Sequence, residues 1–82
     1  MNTAYVAIGA NIGDPAATVL AAFAALANLT DSRVVHTSSL YRTAPVGLKN
    51  QPDFINAVAA LETGLAPESL LDALLDLEAR FG

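Results

Sequence analysis

Pro45, Gly47 and Pro52 stand close together between two runs that otherwise read as strands. The run before them, Val34 to Tyr41, is rich in β-formers, and the run after them, Phe54 to Leu61, is apolar apart from one early amide, Asn56. Proline cannot donate to a ladder, so the chain must leave one strand, pass through a loop and begin another. That loop has roughly ten residues against the two to five of an ordinary hairpin, and ordered loops of such length more often carry function than merely connect. A strand starting near Phe54 puts Phe54 and Asn56 on one face, about 6.5–7 Å apart. An aromatic plate beside an amide suits a flat heterocycle with a donor–acceptor edge.

The flanking chain supplies a scaffold. Thr3 to Gly9 is short and rich in strand formers, and reads as a buried strand. Gly9, Asn11, Gly13 and Asp14 punctuate a turn, with Asp14 suited to an N-cap and Pro15 to the first helical position. The turn lacks the lysine of a phosphate-binding loop and the third glycine of a dinucleotide fingerprint. Ala16, Val19, Leu20, Phe23, Leu26 and Ala27 recur at helical spacing as one apolar stripe, and Asn28 ends it. A second strand is expected over about Arg33 to Tyr41. The third strand, from Phe54, is apolar on both faces and is expected to be central and covered on both sides. Pro67 opens a second helix whose apolar side is Leu70, Leu71, Leu74, Leu75, Leu77 and Phe81. Glu78 lies about 20° around that helix from Leu71 and borders the stripe. Asp72 and Asp76 fall on a more exposed side, where Asp76 is spaced to pair with Arg80.

Strand, helix, strand, strand, helix, with a hairpin at the centre, predicts an α+β fold: the β-α-β-β-α portion of a ferredoxin-like plait, incomplete at the C-terminus. Its completion needs a further strand, so one sheet edge is expected to stand open. Composition agrees. Of 82 residues, 54% are hydrophobic and 15% charged, an apolar balance for one small domain with so much surface, and one face is expected to need cover from more chain or a partner.

Several function classes fall away. There is no cysteine, hence no disulfide or thiolate metal site. The only cations are Arg33, Arg42, Lys49 and Arg80, scattered through a chain of net charge −4, so a nucleic-acid interface is not expected. His36 has no second ligand at metal spacing, and Ser38 and Ser39 lack a base at hand. The longest nearly apolar run, Val19 to Ala27, is about half a membrane span, and no basic segment precedes an apolar core as in a secretory signal. A cytoplasmic location is expected.

Tyr41-Arg42-Thr43-Ala44-Pro45-Val46-Gly47, a short polar loop, then Gln51-Pro52-Asp53-Phe54-Ile55-Asn56-Ala57-Val58 closely resembles the signature of 6-hydroxymethyl-7,8-dihydropterin pyrophosphokinase, an enzyme family of folate biosynthesis. Ala7 to Asp14 also resembles that family's first strand and turn. The resemblance runs from about Ala4 to the last residue and covers the N-terminal half of a family member, making residues 1–82 the N-terminal part of one pyrophosphokinase domain. It implies transfer of pyrophosphate from ATP to the pterin hydroxymethyl oxygen, assisted by two magnesium ions. It also implies a pterin site in which Phe54 stacks on the ring, Asn56 hydrogen-bonds the edge, and Thr43, Ala44, Pro45 and Val46 line the pocket mainly with backbone. By the same resemblance Glu78 lies near the nucleotide, and Val46 to Gln51 is a loop that closes over the substrates. The family's Asp-x-Asp magnesium pair, its triphosphate arginines and its second aromatic plate correspond to positions after Gly82, so no catalytic or metal residue is assigned within this chain, and the 82-residue chain alone is expected to be inactive.

Taken one at a time, Phe54 reads as a core aromatic, Asn56 as an amide that holds the loop, and Glu78 as a solvated flank residue. A non-catalytic module that binds pterin or dimerises through its open sheet edge therefore remains a second reading.

Overall fold

The computed structural model describes residues 1–45, 47 and 50–81. Val46, Leu48, Lys49 and Gly82 lie outside the described residues. Six elements follow in order: β1 (Asn2–Ala10), α1 (Pro15–Ala27), β2 (Ser32–Thr37), β3 (Tyr41–Thr43), β4 (Phe54–Thr63) and α2 (Pro67–Phe81). They form one antiparallel sheet with two helices, an α+β arrangement. β4 is the central strand, with β1 antiparallel on one edge and β2, then β3, antiparallel along the other.

The expected second strand is thus two strands in line. A bulge displaces Val35 between the Val34 and His36 pairings. At Ser38 the ladder changes partners: the Ser38 N–H donates to Val58 O at 2.8 Å, and the Val58 N–H donates to the Ser38 hydroxyl at 2.8 Å. A serine oxygen here replaces a carbonyl, so the segment keeps its bonds to β4 while losing strand geometry. Ser38 is a structural residue.

α1 begins and ends where its capping residues dictate. Asp14 accepts from the Ala17 N–H at 3.2 Å, Pro15 opens the first turn, and the Asn28 N–H donates to Ala25 O at 3.1 Å. The buried side is narrower than the apolar stripe. Val19 and Leu26 are buried and Ala22 and Phe23 partly so, whereas Leu20 and Ala27 are exposed. Each of those two lies 100° beyond a buried neighbour, and alanine-rich sequence conceals that turn.

Both helices lie over one sheet face. Leu26 of α1, Ala59 of β4 and Leu77 of α2 make the core cluster, with Val6, Ile8, Phe23, Val34 and Leu74 packed around it. Ala57, Ala59 and Leu61 are fully buried on that face, and the small alanines let the leucines reach the sheet. Covering of β4 on both faces is therefore not what forms: no helix lies over the Phe54–Asn56–Val58–Ala60 face among the described residues. Ala60 is shielded there by neighbours on the sheet while Tyr5, opposite it on β1, stays exposed. On α2 only Leu77 is fully buried, and Leu71, Leu75 and Phe81 are exposed.

Thr63, 2% exposed, is the one buried polar residue among those described. Its hydroxyl lies 2.7 Å from the Ser32 hydroxyl and accepts from the Leu65 N–H at 3.0 Å, which closes the sheet end beside the turn into α2. The ion pair present among the described residues is Arg33–Glu62 at 2.9 Å, exposed and worth under about 1 kcal/mol. Asp76 and Arg80 do not pair.

Truncation in the core distinguishes these positions. Leu61→Ala and Leu26→Ala should each cost about 2–5 kcal/mol in urea unfolding. Leu20→Ala, at a half-exposed position, should cost well under that.

Candidate functional site

The face without helices carries the candidate site. Antiparallel register places Gly9 of β1 and Tyr41 of β3 opposite Asn56 on either side, and Thr43 opposite Phe54. Asn56 Nδ2 donates to Thr43 Oγ1 at 2.6 Å. The bond ties β4 to the strand that leads into the long loop and takes up one of the four hydrogen-bonding positions of the amide. Neither Oδ1 nor the second Nδ2 proton has a partner among the described residues, so a donor and an acceptor stay free beside the Phe54 ring.

Loops at one end of the sheet border this row. Ala44 and Pro45 continue from Thr43, Ala44 exposed and Pro45 half-buried. Asn11, in the turn between β1 and α1, donates through Nδ2 to Pro52 O at 3.4 Å, so the turn and the far side of the long loop are joined just before Phe54. Gly47 and Asn50 both adopt positive φ, 76° and 64°, where glycine and asparagine are the residues least strained.

A groove of about 590 Å³ runs along β1 between the two helices. Val6, Ile8, Leu26, Leu74 and Leu77 give it apolar walls, and it reaches the end of the sheet, where Gly9, Asn11 and Phe54 line it as Glu78 does. Glu78 itself is exposed on α2.

The residues expected from the sequence therefore divide. Thr43, Phe54 and Asn56 come together as one cluster with a direct hydrogen bond, and Ala44 and Pro45 adjoin it. Glu78 shares a groove with Phe54 but makes no hydrogen bond to the cluster. Val46 lies outside the described residues. Three neighbours had no assigned role in the pocket: Tyr41, half-exposed beside Asn56; Asn11, the loop tie; and Gly9, which lies within β1 rather than in the turn after it. Once β1 and β4 are set in antiparallel register, Gly9 and Tyr41 could be found by counting from Asn56. Among the described residues no three His, Asp or Glu side chains converge as metal ligands would.

Residues 5–82 match the family model of 7,8-dihydro-6-hydroxymethylpterin-pyrophosphokinase. The chain belongs to that family. It is 44% identical over 82 residues to the 2-amino-4-hydroxy-6-hydroxymethyldihydropteridine pyrophosphokinase of Haemophilus influenzae, covering 100% of this chain and 51% of that protein. To the enzyme of the same name from Pseudomonas aeruginosa it is 46% identical over 78 residues, 95% of this chain and 48% of that protein. It is also 38% identical over 79 residues to the folic acid synthesis protein fol1 of Schizosaccharomyces pombe, 96% of this chain and 11% of that one. The chain spans about half the length of the bacterial pyrophosphokinases. The stretch they share with it includes the whole Gly9–Asn56–Thr43 row.

The Asn56–Thr43 bond is open to direct observation. Thr43→Val keeps the shape and removes the acceptor, so the Asn56 side-chain amide signals in a ¹⁵N–¹H spectrum should move and exchange faster with water. Thr43→Ser should leave them near their original positions.

Proposed function

We propose that this chain is the pterin-recognising half of a folate-pathway pyrophosphokinase, and that the Asn56–Thr43 pair beside Phe54 is where the pterin ring is read. The observation that carries this proposal is the free donor and acceptor of a held amide next to an aromatic ring, in a chain of the pyrophosphokinase family. Phe54 offers a face for stacking, Asn56 meets the polar pterin edge, Thr43 fixes the amide, and Ala44, Pro45 and Val46 bound the ring with backbone and apolar surface. Glu78, lining the groove that Phe54 also lines, is proposed to stand near the nucleotide. The location proposed is cytoplasmic.

The reaction proposed is that of the family. The pterin hydroxymethyl oxygen bonds to the β-phosphorus of ATP, the bond from that phosphorus to the bridging oxygen breaks, AMP leaves, and the hydroxyl proton is released. Such transfer depends on positioning and on neutralising phosphate charge. This half supplies positioning of the acceptor. With four cations in a chain of net charge −4, it has little to offer a triphosphate, and the ATP and magnesium residues are proposed to lie in the other half of a longer polypeptide.

The same polypeptide would complete a ferredoxin-like plait. β1 and β2 both run antiparallel to β4, so α1 is a crossover between parallel strands that spans β4. A second crossover through α2, on the same face and of the same right hand, would bring the next strand to the outer edge of β1. That edge has no partner strand among the described residues. The strand would also close the groove against Leu74 and Leu77. Pairing of two copies through the same edge is the second reading, and a concentration-independent dimer of this chain in solution would favour it.

In the full-length protein, Asn56→Ala should weaken binding of 6-hydroxymethylpterin about tenfold or more, and Phe54→Ala about 5- to 30-fold, from the usual size of one hydrogen bond to a buried edge and one ring stack. Unchanged affinity in both variants would refute the pocket. The 82-residue chain by itself should release no AMP from ATP, and turnover by it would refute the division of labour.

A further inference from the structure

Gly9 occupies the middle of the site row without any backbone reason to be glycine. Its φ is not among the positive values, which among the described residues fall at Gly13 and Gly47 for glycine and at Asp31 and Asn50 otherwise. Glycine weakens a strand interior, and where it persists in one it often marks a close approach by another group. Here the approaching group is the Asn56 amide. A β-carbon at Gly9 would stand 2.7 Å from Asn56 Oδ1, closer than such contacts occur, yet 3.9 Å from Phe54 Cδ1, an ordinary contact. Among the described residues, its own chain neighbours aside, the next atom is Asn56 Cγ at 3.8 Å. Among the described residues nothing lies within 4 Å of where a β-carbon would stand at Gly13 or Gly47. At Gly64 the near atoms are the carboxylate of Asp31, the free end of an exposed side chain.

We infer that Gly9 is a positioning residue for pterin recognition: its missing side chain is the seat for the Asn56 carbonyl oxygen, while Thr43 holds the other end of the same amide. The amide lies across β4, its oxygen over the Gly9 α-carbon on β1 and its nitrogen bonded to β3. Two strands thereby fix which way the oxygen and the free proton point. A methyl at position 9 would lift the oxygen and turn the amide, whereas the Phe54 ring would keep its place. The orientation of the donor–acceptor pair, and with it the choice among flat heterocycles of similar size, follows from the absence of one carbon atom.

The inference rests on the pterin reading for its functional consequence, but its structural half stands apart, and a double-mutant cycle in the full-length protein separates the two. Gly9→Ala should weaken 6-hydroxymethylpterin binding tenfold or more when Asn56 is present, and less than twofold in an Asn56→Ala background, because the clash has been removed. The Asn56 side-chain amide signals should move in Gly9→Ala as they do in Thr43→Val, and the signals of the Phe54 ring should not. If Gly9→Ala does not fold, the Gly9→Ala/Asn56→Ala protein should fold and regain the melting temperature of Asn56→Ala alone. An equal penalty in both backgrounds, an unmoved Asn56 amide, or failure of the double variant to fold would each overturn the role assigned to Gly9. Should Asn56→Ala bind pterin unchanged while the Asn56 amide still moves in Gly9→Ala, the seat is real and the pterin reading is what fails.

Discussion

Antiparallel pairing of β4 along both its edges is the constraint on which the remaining structure depends. One ten-residue strand carries the core on one face and the site on the other, because its side chains alternate. Ala57, Ala59 and Leu61 lie beneath the two helices, and the same strand turns Phe54 and Asn56 toward the opposite side. Register does the rest. It sets Gly9 on one flank of Asn56 and Tyr41 on the other, so the site inherits its precision from ladder hydrogen bonds rather than from the long loop. A slip of one residue would exchange the faces, burying the amide under the helices and exposing the alanines.

Much of this was legible in the sequence where local chemistry decides the outcome. The cap at Asp14, the proline openings at Pro15 and Pro67, and the start of β4 at Phe54 each follow from a residue with one dominant conformational effect. Thr43, Phe54 and Asn56 were legible through their spacing around the loop and the family signature. Other features depend on packing between elements. Leu20 and Ala27 read as core because alanine-rich sequence defines the buried side poorly, and only the docked sheet shows that Ala22 faces inward instead. The division of the second strand at Ser38 depends on a hydroxyl accepting a bond from a strand it meets twenty residues later. Cover on both faces of β4 was inferred from apolarity alone, yet small residues such as Ala60 are shielded by sheet neighbours without any second layer. Gly9 is the plainest case. Within the sequence it looks like the beginning of a turn, and its effect becomes visible only against a side chain on another strand.

The proposed site implies a division of the chemistry. In the proposed site a neutral amide and an aromatic ring would recognise a flat, polar-edged heterocycle without needing charge, which suits a chain of net charge −4 with few cations. Phosphoryl transfer makes the opposite demand, for dense positive charge around the phosphates. The chain spans about half the length of the bacterial pyrophosphokinases it matches. Leu71 and Leu75 of α2 are exposed, and the outer edge of β1 has no partner strand among the described residues.

The most direct measurement is a crystal structure of the full-length protein with 6-hydroxymethylpterin bound. The prediction is a pterin ring against Phe54, its polar edge bonded to Asn56 Oδ1 and Nδ2, with the amide still seated over Gly9 and bonded to Thr43. A pterin bound anywhere that leaves the Asn56 amide unengaged would contradict it.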